Sequence, residues 1–339
     1  MLLITGGGTG GHLSIVKALC EECNKNGLKP IYIGSNNGQD RKWFEDHDGF
    51  LDAYFLDSSG VVNKSGFNKI LSLINIFKQS FLCWKIFRKH GIKNVISVGG
   101  YSAAPASLAA IFLRKDFFIH EQNAVLGRLN KLLKPFAKEL FSSFENATFH
   151  TSYPISQAFF ETQRIRKDIK TIIFLGGSQG ASFINVLAKE MAQGLKERNI
   201  NIIHQCGKND FESLDLFYKK HGIKVDLFEF DKNLHVKMQR ADFAISRAGA
   251  SSLWEIVANA LPAFFIPFPY AAADHQYFNA KFLLDKKLAF LCRQDRVKKE
   301  DIFKLLDQLD NLKEISSKLA LWSQKNGAEQ IIKEVGATI

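Results

Sequence analysis

The chain has 339 residues, 46 % hydrophobic and 23 % charged, with a formal net charge of +11. That length exceeds what one core sustains, so two domains are expected, and the composition is that of an ordinary globular protein without low-complexity segments or short repeats. Five scattered cysteines, with only a lone C-x-x-C at Cys20 and Cys23, exclude a paired zinc motif and fit a reducing cytosol.

In chain order, the first strand is Leu2–Thr5, followed by "GGGTGGH" (6–12) and a helical stretch over His12–Asn26. The N-terminus lacks a basic n-region and a long apolar h-region, so no signal peptide is expected. Further strands are predicted at Ile31–Gly34, Val95–Val98, Phe117–His120 and Glu139–Ser142, with helices over 66–90 and Ala104–Leu113. The uncharged run Asn94–Leu113 contains Gly99, Gly100 and Pro105 and reads as strand, loop and helix, not as a membrane span. A joint is expected near Thr151–Ser156, where Pro154 interrupts. Strands in the second half fall at Thr171–Leu175, Ile202–Gln205, Val225–Phe228, Phe243–Ser246 and Ala263–Pro267, with helices over Ala181–Arg198 and Ser251–Asn259. Continuous apolar runs mark strands buried on both faces, and their alternation with helices predicts two doubly wound α/β domains. The expected division is 1–153 and 154–339, the last helix being a candidate for packing back on the first domain.

Two strand-to-helix junctions are rich in glycine, Gly6-Gly7-Gly8-Thr9-Gly10-Gly11 and Gly176-Gly177-Ser178-Gln179-Gly180. In a doubly wound sheet ligands bind beyond the C-terminal strand ends. Glycine there brings backbone N–H groups close to an anion, and the helix N-terminus adds partial positive charge. A tight turn without a ligand is the alternative. Gly6-x-Gly8-x-x-Gly11 matches the dinucleotide fingerprint, but the second strand ends Ile33-Gly34-Ser35-Asn36 without the ribose-binding acid, and Asp40 comes too late. This disfavours NAD.

The second half holds "AISRAGASSLWEI" (244–256), where Glu255 could accept bonds from both hydroxyls of a ribose or be a solvated helix glutamate. In "IPFPYAAADHQYFNA" (266–280), Asp274 reads as a helix N-cap and Gln276 and Asn279 as helix polars.

Taken together, "GGTGGH" (7–12), "GGYSAAP" (99–105), "HEQNAVLGRLNK" (120–131), "GGSQGA" (176–181), "SRAGASSLWE" (246–255) and "DHQYFNA" (274–280) resemble the MurG family of N-acetylglucosaminyltransferases over essentially the whole chain. The resemblance implies a GT-B fold, two Rossmann-like domains facing a cleft. Thr9, Gly10, Gly11 and Asn123 would line the cleft from the N-terminal side. Ser178, Ser252, Glu255 and Gln276 would hold UDP-N-acetylglucosamine from the C-terminal side, Glu255 at the ribose and Gln276 at the sugar. The implied reaction moves GlcNAc, with inversion, onto the 4-hydroxyl of the muramyl sugar of lipid I (undecaprenyl-pyrophosphoryl-MurNAc-pentapeptide), forming lipid II in peptidoglycan synthesis. One departure stands out: where the family often has Gly-Asn-Pro-Val-Arg, with the arginine reaching the donor, this chain reads Ser152-Tyr153-Pro154-Ile155-Ser156. A serine does not replace a guanidinium.

That chemistry needs a base for the acceptor hydroxyl. His12, first past the glycine loop, is the candidate, with His120 and Glu121 as rivals and phosphate orientation or helix capping as its other readings. No cofactor or metal is expected. The second glycine loop and its helix N-terminus can stabilise a departing diphosphate, and Asp46-His47-Asp48 reads as a surface turn. The alternatives are a UDP-GlcNAc 2-epimerase on the same two-domain plan and a non-catalytic nucleotide-binding module.

The surplus charge is local. No acidic residue lies between Asp57 and Asp116, while Lys64, Lys69, Lys78, Lys85, Arg88, Lys89, Lys93, Arg114 and Lys115 do. Within 66–90, Phe67, Ile70, Leu71, Ile74, Phe77, Phe81 and Trp84 form one helical stripe, and Leu73, Ile76 and Phe87 extend the apolar surface beyond a single core-facing stripe. A helix buried in the domain with lysines at its rim is one reading. Basic residues interleaved with excess apolar surface fit an anionic lipid surface better than nucleic acid. The expectation is a peripheral protein on the cytoplasmic side of the inner membrane, with no nucleic-acid partner.

Overall fold

The computed structural model describes residues 1–58, 66–177, 180–323 and 325–336. The chain divides into two compact units, Met1–Ile155 with the C-terminal segment from Asn326, and Ser156–Lys325.

The first unit runs β1 (Leu2–Thr5), α1 (Gly10–Lys25), β2 (Ile31–Ser35), α2 (Asp40–Phe44), β3 (Asp52–Leu56), α3 (Phe67–His90), β4 (Asn94–Ser97), α4 (Ala104–Phe112), β5 (Asp116–His120), α5 (Arg128–Leu133), β6 (Glu139–Ser142) and β7 (Phe149–His150). Its seven strands pair in parallel in the order β3-β2-β1-β4-β5-β6-β7. The second unit runs α6 (Ala158–Glu161), β8 (Thr171–Leu175), α7 (Ser182–Glu197), β9 (Asn201–Gln205), α8 (Phe211–Lys220), β10 (Val225–Phe228), α9 (Leu234–Arg240), β11 (Phe243–Ser246), α10 (Ala250–Ala258), β12 (Ala263–Phe265), α11 (His275–Asp285), β13 (Phe290–Leu291), α12 (Lys299–Gln308) and α13 (Leu312–Trp322). Its sheet is also all parallel, β10-β9-β8-β11-β12-β13. The final helix α14 (Gly327–Glu334) packs on α1 of the first unit. There Ser152 N–H donates to Gln330 Oε1 at 3.0 Å.

Three strands are missing from the sequence reading: β3, β7 and β13. Each is a sheet edge and none is fully buried, so none carries the continuous apolar run that marks a central strand. Central β1, by contrast, buries all four of its residues. Cys20 and Cys23 are buried on α1, and burial pushes both thiols up to about 12.

Helix α3 turns its small-residue stripe toward the core. Its buried face is Ser72, Ile76, Ser80, Cys83, Ile86 and Phe87. Small residues there let it lie close on α4, whose Ala106, Ala109 and Ala110 are buried in the same core, and Ser80 satisfies its hydroxyl on Ile76 O at 2.8 Å. The more apolar stripe faces outward: Leu71, Ile74, Phe77, Phe81 and Leu82 are between 43 % and 58 % exposed. Lys64 and the side chains of Phe67, Lys69, Ile70 and Leu73 lie outside what is described. Among the described residues, no helix is long and apolar enough to cross a membrane.

Candidate active site

Each unit has a topological switch point, where strand order reverses and two loops meet at the C-terminal strand ends. In the first unit this falls between β1 and β4, so the loop at Gly6–Thr9 meets the loop at Val98–Tyr101. Gly7 N–H donates to Gly99 O at 3.2 Å. Gly8 (φ +84°) packs so closely on Tyr101 that a Cβ would lie 2.8 Å from its ring, and Gly100 (φ +79°) packs on the Gly7 carbonyl.

These glycines are spent largely on protein contacts, which corrects the expectation that the whole loop offers bare backbone to a ligand. Gly6 N–H donates to Ile33 O at 3.4 Å and Gly8 N–H to Asp40 Oδ2 at 2.6 Å. The buried Asp40 also accepts from Ser35 N–H at 3.0 Å, with the Tyr32 hydroxyl 3.2 Å away. An internal carboxylate thus takes the anion's place at Gly8, and it points inward rather than toward a ribose. The backbone beyond it, Thr9, Gly10 and Gly11, lies at the start of α1 and is partly to fully exposed.

His12 follows in the first turn of α1, half-buried. Its Nδ1 is 2.9 Å from Thr9 Oγ1 and its Nε2 is 2.8 Å from Gln122 Nε2. Of its two rivals, His120 is completely buried, neither ring nitrogen has a hydrogen-bond partner among the described residues, and burial pushes it down to about 3. Glu121 is buried too, and burial raises its pKa. Its oxygens accept from Asn123 N–H, Gly127 N–H and Asn130 Nδ2, each at 2.9 Å. Glu121 therefore organises the loop that carries Asn123 and Gln122, and its acceptor capacity is already used. Asp46 and Asp48 sit exposed on a turn.

In the second unit the switch point lies between β8 and β11. Ser178 lies outside the described residues. Ser252 and Glu255 fall on α10, both half-buried. Among the described residues the Glu255 carboxylate has no side-chain partner, and it sits in surroundings dense enough that burial lifts it to about 7. Gln276, at the start of α11, turns its Oε1 to Phe268 N–H at 2.9 Å and Ala248 N–H at 3.2 Å. Asn279 Nδ2 reaches Ala248 O at 3.2 Å. These two residues, read as helix polars, instead tie α11 to the loops after β11 and β12. Among the described residues the Gln276 amide nitrogen has no hydrogen-bond partner. Asp274 makes no side-chain cap: it adopts φ +54° and pairs with Arg293 at 2.6 Å. Ser156 is exposed.

Sequence reasoning missed Arg247, which is 8 % exposed at the end of β11. Its guanidinium donates to Ile266 O, Pro267 O and Gln294 Oε1 between 2.7 and 3.1 Å, between the rings of Phe183 and Phe268, and burial lowers it to about 10. An arginine directly after an apolar strand was the available signal.

Residues 2–142 match the glycosyltransferase family 28 N-terminal domain, and residues 171–335 match its C-terminal domain. The chain belongs to glycosyltransferase family 28. It is 54 % identical over 333 residues, 98 % of this chain and 96 % of the relative, to the UDP-N-acetylglucosamine–N-acetylmuramyl-(pentapeptide) pyrophosphoryl-undecaprenol N-acetylglucosamine transferase of Campylobacter jejuni strain RM1221. Among solved structures it resembles Acinetobacter baumannii MurG, with a TM-score of 0.80 at 27 % identity over 98 % of both chains. The UDP-GlcNAc 2-epimerase of Neisseria meningitidis, at 14 % identity and a TM-score of 0.66 over 100 % of both chains, shares the fold alone. The two parallel-sheet units are the GT-B fold of a family 28 hexosyltransferase.

Proposed function

We propose that this family 28 enzyme transfers GlcNAc from UDP-GlcNAc to the 4-hydroxyl of the muramyl sugar of lipid I, inverting the anomeric carbon and forming lipid II. The carrying observation is the 54 % identity over 98 % of the chain to a transferase so named. The second unit is the donor side. The Glu255 carboxylate accepts from the ribose hydroxyls, Ser252 lies at the N-terminus of α10 to meet the donor, and the Gln276 amide donates to the sugar. Ser178 and the glycine loop around it belong to the same set. The first unit is the acceptor side, with Thr9, Gly10, Gly11 and Asn123 around His12. His12 takes the proton of the 4-hydroxyl as that oxygen bonds to the anomeric carbon and UDP departs with the bonding electrons. The positive ends of α7 and α10 favour the negative charge that develops on the diphosphate.

The outward stripe of α3 supports docking on the cytoplasmic leaflet of the inner membrane. Five exposed apolar side chains stand beside Lys78, Lys85 and Arg88, with Lys85 5.5 Å over the Phe81 ring and Arg88 5.2 Å over that of Trp84. Phe112, at the end of the neighbouring α4, adds a 67 % exposed ring. An acceptor embedded in lipid gives such a face its purpose.

Incubation with UDP-GlcNAc and a lipid I analogue separates the readings: lipid II is expected, UDP-ManNAc marks an epimerase, and no turnover marks a binding module. His12→Ala should lower kcat about a hundredfold with UDP affinity retained. Lost UDP affinity would mean that His12 holds phosphate instead.

A further inference from the structure

The contact that sets the state of His12 comes from Gln122, a residue with no role in the site as read from sequence. Gln122 is 7 % exposed, and its side-chain nitrogen is 2.8 Å from His12 Nε2. An amide NH2 only donates, so the ring nitrogen it meets must present its lone pair. The other ring nitrogen, 2.9 Å from Thr9 Oγ1, then carries the hydrogen. The reverse orientation of the amide would bury two N–H donors at the place where its carbonyl, Gln122 Oε1, has no hydrogen-bond partner among the described residues. We propose that Gln122 is a positioning residue that holds His12 in the Nδ1–H tautomer, with Nε2 unprotonated and accepting from the Gln122 amide, and yields Nε2 to the acceptor hydroxyl.

This deepens the reading of His12 as base and rests on it. In the reaction the hydroxyl proton passes to Nε2, the sugar oxygen bonds to the anomeric carbon, and the bond from that carbon to the diphosphate breaks. The new Nε2–H then needs an acceptor, and the orphaned Oε1 of Gln122 is at hand once the amide turns over. The neighbouring titratable groups are neutral or held by other partners. His120 is buried and neutral, Glu121 is committed to Asn123, Gly127 and Asn130, Asp40 is committed to Gly8 and Ser35, and the first turn of α1 holds no acid.

The test is 15N NMR of His12 in the full-length protein, alongside kcat/KM against pH. The wild type should show a protonated Nδ1 and a bare Nε2 above the histidine pKa, and Gln122→Leu should mix the two tautomers. Gln122→Glu puts a carboxylate against the ring. It should raise the His12 pKa by about one unit or more and move the acid limb of kcat/KM by the same amount, with UDP affinity unchanged. A purely structural role for Gln122 would not move that limb. A wild type protonated on Nε2, or a His12 pKa unmoved in a folded Gln122→Glu variant, overturns the assignment. If these shifts appear but His12→Ala turns over at the wild-type rate, the contact stands and the base reading falls.

Discussion

The Asp40 carboxylate accepts the Gly8 backbone N–H at 2.6 Å, at the strand-to-helix turn where dinucleotide-binding domains receive a phosphate. The first glycine loop is therefore neutralised from within, and it serves as a scaffold that presents Thr9 and His12. Asp40→Ala should cost roughly 2–4 kcal/mol, because it strips buried partners from Gly8, Ser35 and Tyr32. Denaturant unfolding measures the loss. UDP affinity per folded molecule should not change, since the donor is assigned to the other unit; a tenfold loss of UDP binding would contradict that assignment.

Glu255 gives UDP binding a pH dependence. Its folded pKa, about 7, lies above the ordinary 4.5, so the free protein disfavours the carboxylate. The stability associated with this group is complete below about 4.5 and is lost as pH rises through 7. Ribose hydroxyls donating to the carboxylate favour its charged form, so binding should release a proton near neutrality. Affinity should weaken about tenfold per pH unit below 7. Calorimetry in buffers of different ionisation heat checks the proton release. Glu255→Gln should abolish the dependence, and Glu255→Ala should weaken UDP about ten- to a hundredfold.

Two buried histidines should make the fold acid-sensitive. Burial holds His120 and His204 near 3, so both are neutral in the fold and protonated in the unfolded chain below about 6.5. Their contribution is present above 6.5 and is lost as pH falls toward 3, on the order of 4 kcal/mol each at the acid end. Urea midpoints measured from pH 7 down to pH 4 should fall steadily. His204→Gln should lower stability at pH 7, by loss of its bonds to Tyr218 and Asn185, yet flatten the slope. An unchanged slope would show that His204 titrates normally in the fold.

The outward face of α3 predicts vesicle binding. Lys89 is drawn to Asp52 at 3.2 Å, which, among the described side chains of α3, leaves Lys78, Lys85 and Arg88 as cations for lipid. Reversing these three to Glu should release the protein from anionic vesicles at low salt. Phe77→Ser with Phe81→Ser should weaken binding at any salt, since that part is hydrophobic. Both variants should keep UDP affinity. Equal sedimentation of wild type and variants with vesicles would remove α3 from the interface.

The sequence by itself determined the central strands, the parallel α/β class and the six motifs that mark the family. Strands such as β1 and β8 are buried on both faces, so their apolar runs are continuous and their identity is local. The edge strands β3, β7 and β13 were not legible, because a half-exposed strand needs no such run. Tertiary structure alone decided which stripe of α3 faces the core. Both stripes obey helical spacing, and only the alanines of α4 show that the small-residue stripe is the one that fits. It also decided which polar groups remain for a ligand. Asp40 and Asp274 are plausible ligand residues by type, but each is committed to a partner well separated in sequence, Gly8 and Arg293, and the Gln276 carbonyl is likewise held by Ala248 N–H. The half-buried Glu255 has no such partner among the described residues. Periodicity reports spacing along the chain, whereas a hydrogen-bond partner from a distant segment exists only once the sheet has brought the two together.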